Sequence, residues 1–239
     1  MSHDVVLDDE GKTAEIVISG GAGNALDRAG IEELQRLLAE VAAQTQARSV
    51  ILSGANSTFC GGRTRDSSLV TAAEIETDLA PILAMNRVME TYPLPLIAAV
   101  EGKAFGFGFG LATLCDVTIV ADDARFALTE LAHGIPPLIV LSYFFRFVPY
   151  KVAFDLALTG REISAAEAQR LGLATAVEPA GSTLSRARQI AAHIAQIDPE
   201  AMRLLRSYSR RNAALVDDTA ATEGAAEIAA FLASAGSAG

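Results

Sequence analysis

PLIAAVEGKAFGFGFGLATLC, residues 95–115, holds the architecture in miniature. Residues 95–101 form a continuous apolar run of strand length, with no polar alternation, as in a strand buried on both faces. Residues 102–110 follow as a glycine-rich turn, and residues 111–115 continue as a helix. Two more apolar runs flank this unit, SVILS at 49–53 and VTIVA at 117–121. The first leads into Phe59, Cys60, Gly61 and Gly62. Helices lie between the runs. Asp27 is placed to cap one whose Ile31, Leu34, Leu37, Leu38 and Val41 share a face. Residues 74–92 read as another, with Pro81 near its start or at a kink. Buried strands separated by helices predict an α/β fold with a parallel sheet under helices.

Working outward, residues 5–7 and 14–18 read as short strands joined by a turn at 8–12. Beyond residue 140 the pattern is helical, at 152–158, 164–171, 182–197 and 199–214, and an Ala-rich tail at 217–233 reads as one more helix. Ser164 and Glu167 make a capping-box pattern, and Gly172 is a stop signal. The expected organisation is an α/β core over 1–140 and a helical region over 141–239. No Pro/Ser/Gly-rich linker separates them, so they are expected to form one continuous fold.

Composition narrows the function. The 239 residues carry 19 Lys+Arg against 29 Asp+Glu, a net charge of −10. Nucleic-acid binding needs a basic surface, so that class is excluded, as is attachment to an anionic membrane. With 51 % apolar and 20 % charged residues the chain is globular. Cys60 and Cys115 lack metal-ligand spacing and are expected as reduced core residues. No metal site is expected. The acidic start has no secretory pattern, and the longest apolar stretch, 135–148, is too short and too broken by prolines to span a bilayer. A cytoplasmic location is the expectation.

Two glycine-rich turns stand out, one at Gly61 and Gly62, the other at Gly106, Gly108 and Gly110. Glycine lets backbone amides face a ligand with no Cβ in the way, and a following helix adds partial positive charge. Two such amides aimed at one point would stabilise a carbonyl oxygen as it becomes an enolate. Tight packing of strand ends against helices is the competing explanation. The spacing is not that of a dinucleotide fingerprint.

In order along the chain, these pieces resemble the crotonase superfamily, the enoyl-CoA hydratase/isomerase family. The resemblance rests on Asn24-Ala25-Leu26, the strand before Phe59–Gly62, IAAVEG at 97–102 with Gly106-Phe107-Gly108, and Leu114-Cys115-Asp116. It continues through Ala124-Arg125-Phe126, Glu130, GIPP at 134–137, Thr159-Gly160-Arg161 and Gly172-Leu173. It implies a crotonase-like ββα spiral core, a helical C-terminal region that builds homotrimers or dimers of trimers, and an acyl-CoA thioester as substrate. Coenzyme A would then be part of the substrate, with no separate cofactor. The oxyanion donors carry over to the amides of Gly61 and Phe107. Substrate contacts carry over to Ala25, Leu26, Gly61, Gly62, Arg63, Thr64 and Phe107, with Arg63 and Arg65 as candidates for the CoA phosphates.

Hydratases of this family use two glutamates to split water. The first falls on Gly110, which exchanges no proton; the second falls on Glu130, which is present. The segment 138–141, LIVL, is bulky where many hydratases are glycine-rich, which points to a dry pocket. One carboxylate suffices to carry a proton between two carbons of an enolate, so isomerisation of a 3-enoyl-CoA to a 2-enoyl-CoA is expected. A hydratase, hydrolase or lyase acting on an unusual acyl-CoA, with His133 or Asp66 as second acid/base, is the alternative. A non-catalytic binder of acyl-CoA or of a partner protein is the other.

Overall fold

A computed structural model describes residues 4–7, 11–44, 46–66, 68 and 71–213. The expected helix at 217–233 lies outside the described residues.

The apolar runs form a six-stranded sheet. Its order is β1 (Asp4–Leu7), β2 (Thr13–Ile18), β3 (Ser49–Gly54), β4 (Leu96–Val100), β6 (Val117–Ala121) and β9 (Ala176–Glu178). Only the β1–β2 pair is antiparallel. Val50, Ile51 and Leu52 are wholly buried, as are Leu96, Ile97 and Ala98. This burial on both faces is why these strands read as unbroken hydrophobic runs.

A second layer of very short strands lies after the first. β5 (Lys103–Phe105) pairs in parallel with β7 (Arg125–Ala127), and β7 pairs antiparallel with β8 (Ile163–Ser164). Single bridges extend this row, Cys60 to Ala104 and Leu26 to Arg63. Each long strand is therefore followed by a short extended piece in the second row and then by a helix. After β2 come Leu26 and α1 (Arg28–Ala42). After β3 come Cys60–Arg63 and α2 (Ala72–Thr91). After β4 come β5 and α3 (Phe107–Leu114). That repeat is the ββα spiral.

The helices begin where local chemistry permits. Asp27 caps α1 by accepting from the Gly30 amide at 2.8 Å. Thr71 and Glu74 form a reciprocal capping box on α2. Helix α3 starts four residues earlier than the expected 111. Gly106, at φ +49, turns the chain sharply enough for it to begin at Phe107. Gly108 and Gly110 therefore sit inside a helix despite their low propensity. A Cβ at Gly108 would lie 2.2 Å from the Cys60 carbonyl oxygen, so close packing on the neighbouring turn decides the residue.

The helical part comprises α4 (Leu138–Phe144), α5 (Tyr150–Thr159), α6 (Ala165–Arg170) and α7 (Thr183–Ile194). Helix α7 lies against β3, β4 and β6. All four belong with the sheets to one compact unit, Met1–Ala195. Residues beyond 140 thus cover the same sheet as those before it. The second unit, Gln196–Gly239, contains α8 (Pro199–Asn212), capped by Asp198. Cys60 and Cys115 are both buried thiols, as expected of core residues.

Candidate active site

The two glycine turns meet at a cavity of about 600 Å³. Its wall includes Gly61, Gly62, Arg63, Phe107, Glu130 and Tyr143. The cavity is within the usual size range of small-ligand sites.

Hydrogen bonds fix which amides face it. The first bond within α3 runs from the Gly110 amide to the Gly106 carbonyl at 3.0 Å. The Phe107 amide therefore has no partner within the helix and stands at its positive end. On the other turn, the Gly62 carbonyl accepts from the Leu26 amide at 3.0 Å, and the Thr64 amide donates to the Leu26 carbonyl at 2.7 Å. These bonds flank Arg63, so its own amide is turned away from Leu26. The expected donor, Gly61, instead gives its N–H to the Asn24 carbonyl at 3.4 Å. Alternation along this short strand thus moves the candidate oxyanion donor from Gly61 to Arg63, which lines the same cavity as Phe107.

Asn24 holds this loop in place. It is buried at φ +57, and its side-chain amide donates to the carbonyls of Ile18, Thr58 and Phe59 at 3.0, 2.8 and 2.9 Å. Its side-chain oxygen accepts from the Gly20 amide at 2.6 Å.

The Arg63 guanidinium does not reach outward for phosphate. It pairs with the Asp78 carboxylate and donates to the Asp78 carbonyl at 2.9 Å, with the two side chains only 11 % and 10 % exposed. Asp78, on α2, had no signal in the sequence beyond its helical position. Arg65 remains exposed and lines the cavity.

Ala25 and Leu26 do not line the cavity. Leu26 is fully buried and serves as the backbone partner of the Arg63 segment. Thr64 and Asp66 line a neighbouring groove instead. Asp66 accepts from the Ser68 amide and hydroxyl at 2.9 and 2.6 Å, which lowers its pKa. Asp66 therefore lies outside the wall of the cavity that Glu130 borders.

Glu130 is delivered from β7. The Gly106 amide donates to the Ala127 carbonyl at 2.8 Å, which ties the end of β7 to the start of α3. Residues Glu130–His133 then form a 3-10 turn that ends at Gly134, φ +74. The Glu130 Oε1 lies 3.1 Å from where a Cβ on Gly106 would stand, so only glycine leaves the carboxylate undisturbed there. The Glu130 Oε2 is buried with no hydrogen-bond partner. Burial pushes the Glu130 pKa up, while its own backbone amide and the nearby His133 pull it partly back. His133 is exposed but borders the same cavity.

Opposite is a residue the sequence did not single out. A Cβ at Gly110 would meet the Tyr143 hydroxyl oxygen at 2.2 Å. The space of the missing first glutamate is thus taken by a phenol from α4. The bulky 138–141 segment contributes less than expected. Leu138 is 67 % exposed, and from this segment Ile139 and Val140 reach the cavity. Tyr143 stands within an apolar run, and nothing in its spacing marks it as facing Gly110.

The family model described as enoyl-CoA hydratase/isomerase matches residues 10–235. The chain belongs to the enoyl-CoA hydratase/isomerase family. The 2,3-dehydroadipyl-CoA hydratase of Escherichia coli is 33 % identical over 197 residues, covering 80 % of this chain and 75 % of that protein. The carnitinyl-CoA dehydratase of Proteus mirabilis is 33 % identical over 224 residues, covering 90 % and 83 %. The crystal structure of an enoyl-CoA hydratase from Bacillus anthracis superposes with a TM-score of 0.86 at 29 % identity, covering 95 % of this chain and 89 % of that one. The chain is accordingly an acyl-CoA enzyme of this family with its α/β fold. The relatives carry hydratase and dehydratase names. No helix among the described residues is long and apolar enough to cross a membrane.

Proposed function

We propose that this enzyme forms a thioester enolate with Glu130 as its carboxylate base and returns the proton elsewhere on the acyl chain, converting a 3-enoyl-CoA to a 2-enoyl-CoA. The observation that carries this reading is the pairing at Gly110. The position that would hold a second carboxylate has no side chain, and the Tyr143 hydroxyl fills its space. The buried, unpartnered Oε2 of Glu130 is a base with no competing donor. The amides of Arg63 and Phe107 receive the thioester oxygen as it gains negative charge. Glu130 takes the proton from C2 or C4, the electron pair delocalises onto that oxygen, and the proton returns at the other carbon. A raised pKa strengthens Glu130 as a base once it is ionised.

The names of the relatives favour a second reading, addition or removal of water, with His133 or Tyr143 in place of the missing glutamate. Incubation with CoA thioesters in D₂O, read by mass spectrometry, separates the two. Isomerisation predicts deuterium at the α- and γ-carbons without hydration product, and Glu130→Gln lowers exchange by about 10²- to 10⁴-fold. Undiminished exchange in that variant refutes Glu130 as the base. Hydration of a 2-enoyl-CoA at a rate comparable with isomerisation favours the second reading.

Self-association belongs to the same proposal. Phe145, Tyr150 and Phe154 stack at 5.8 and 5.6 Å between ring centres while 45 %, 64 % and 46 % exposed. With Leu158, at 58 %, they form an apolar strip along α5 and the end of α4, suited to a second copy of the chain.

A further inference from the structure

Tyr143 is held on a rigid support. Phe144 meets Phe109 edge-on at 5.4 Å, and Phe109 packs against Phe126 at 5.3 Å. Consecutive residues of α3, 109 and 110, thus receive consecutive residues of α4, 144 and 143. This register places the Tyr143 hydroxyl against the bare backbone of Gly110, in the wall of the cavity that Glu130 borders.

The hydroxyl has no protein partner among the described residues. The contrast with Tyr92 is informative. That side chain is 4 % exposed and donates its hydroxyl to the Leu38 carbonyl at 2.7 Å. Tyr143 is 5 % exposed and lines the cavity, yet its hydroxyl makes no such bond among the described residues. Burial and the charge of Glu130 both hold the phenol protonated, so it acts as a donor. A donor placed there is met by solvent when no acyl chain is bound. An acyl chain that displaces this water must supply an acceptor, or the donor is left unmade. Phenylalanine would fill the same space if bulk alone were required.

We infer that the Tyr143 hydroxyl determines acyl specificity by donating a hydrogen bond to an uncharged oxygen carried on the acyl chain, a hydroxyl or a ketone, distinct from the thioester carbonyl. This rests on the acyl-CoA reading above. A neutral oxygen suits the site better than a carboxylate, because a second negative charge would face Glu130 across the cavity.

The test compares binding of pentanoyl-CoA with its 3-, 4- and 5-hydroxy derivatives to the unaltered protein and to Tyr143→Phe. At least one hydroxy ester should bind about ten- to a hundredfold tighter than the parent. The phenylalanine variant should erase that preference. No gain for any hydroxy ester on the unaltered protein overturns the inference without recourse to a variant, and so does a preference that survives in Tyr143→Phe. The ratio is read in binding, which needs no proton removal. A failure of Glu130 as base appears in deuterium exchange instead, and a failure to bind any CoA thioester overturns the functional reading itself.

Discussion

Glu130 carries an energetic conflict that can be measured apart from activity. Its carboxyl is largely buried and one oxygen lacks a partner, so folding disfavours its ionised form. The sign follows from linkage. Because the folded-state pKa is raised, stability is full below the ordinary glutamate value and falls as pH rises through the folded-state value. Glu130→Gln should therefore be the more stable protein at neutral pH, by roughly 2–4 °C in Tm. That advantage should vanish as the solution is acidified below the ordinary glutamate range. Thermal melts across pH check this, and a constant difference would mean the side chain is solvated. The same shift places the acid limb of kcat/KM above the ordinary carboxylate range, with rates rising as Glu130 loses its proton. Glu130 as candidate base was marked in the sequence by the family pattern, but its burial was not. Its partner loop was legible only in outline, because which amide faces the cavity depends on strand alternation around Gly62, at φ +116.

The contact between α3 and α4 offers a test at the level of elements. A methyl group at residue 110 would strike the Tyr143 oxygen at 2.2 Å, whereas the next ring atom, Cζ, is 3.6 Å away and the Val140 methyl 3.5 Å. Gly110→Ala should thus destabilise the protein by about 1–3 kcal/mol, as overpacking does. Tyr143→Phe should relieve most of that cost, giving a coupling of about 1–2 kcal/mol in a double-mutant cycle from denaturant melts. Additive effects would show that the two helices do not meet as described. Such contacts explain what the sequence conveyed and what it withheld. The strands β3, β4 and β6 announced themselves because burial on both faces demands unbroken apolar runs. The pieces β5, β7 and β8 have three, three and two residues, too few for any period to register. The early start of α3 was hidden because its glycines, read locally, signal a turn. Their cause lies in Cys60 and Tyr143, distant in sequence.

For the whole molecule, the exposed aromatic strip along α5 and the end of α4 gives a further expectation. Light scattering on the full chain should return a multiple of the 25.0 kDa protomer mass. Tyr150→Glu combined with Phe154→Glu should shift the population toward the protomer, and a monomeric unaltered chain would rule the interface out. The spiral also relates the site to the fold's integrity. Arg63 belongs to the turn that follows β3 and Phe107 to the turn that follows β4, and these turns are joined side by side through the Cys60–Ala104 bridge. A thioester oxygen held between the two amides, as proposed, would rivet adjacent coils of the spring. Occupancy should then slow the local breathing of both coils together, and any loosening between them would release the ligand before the protein unfolds.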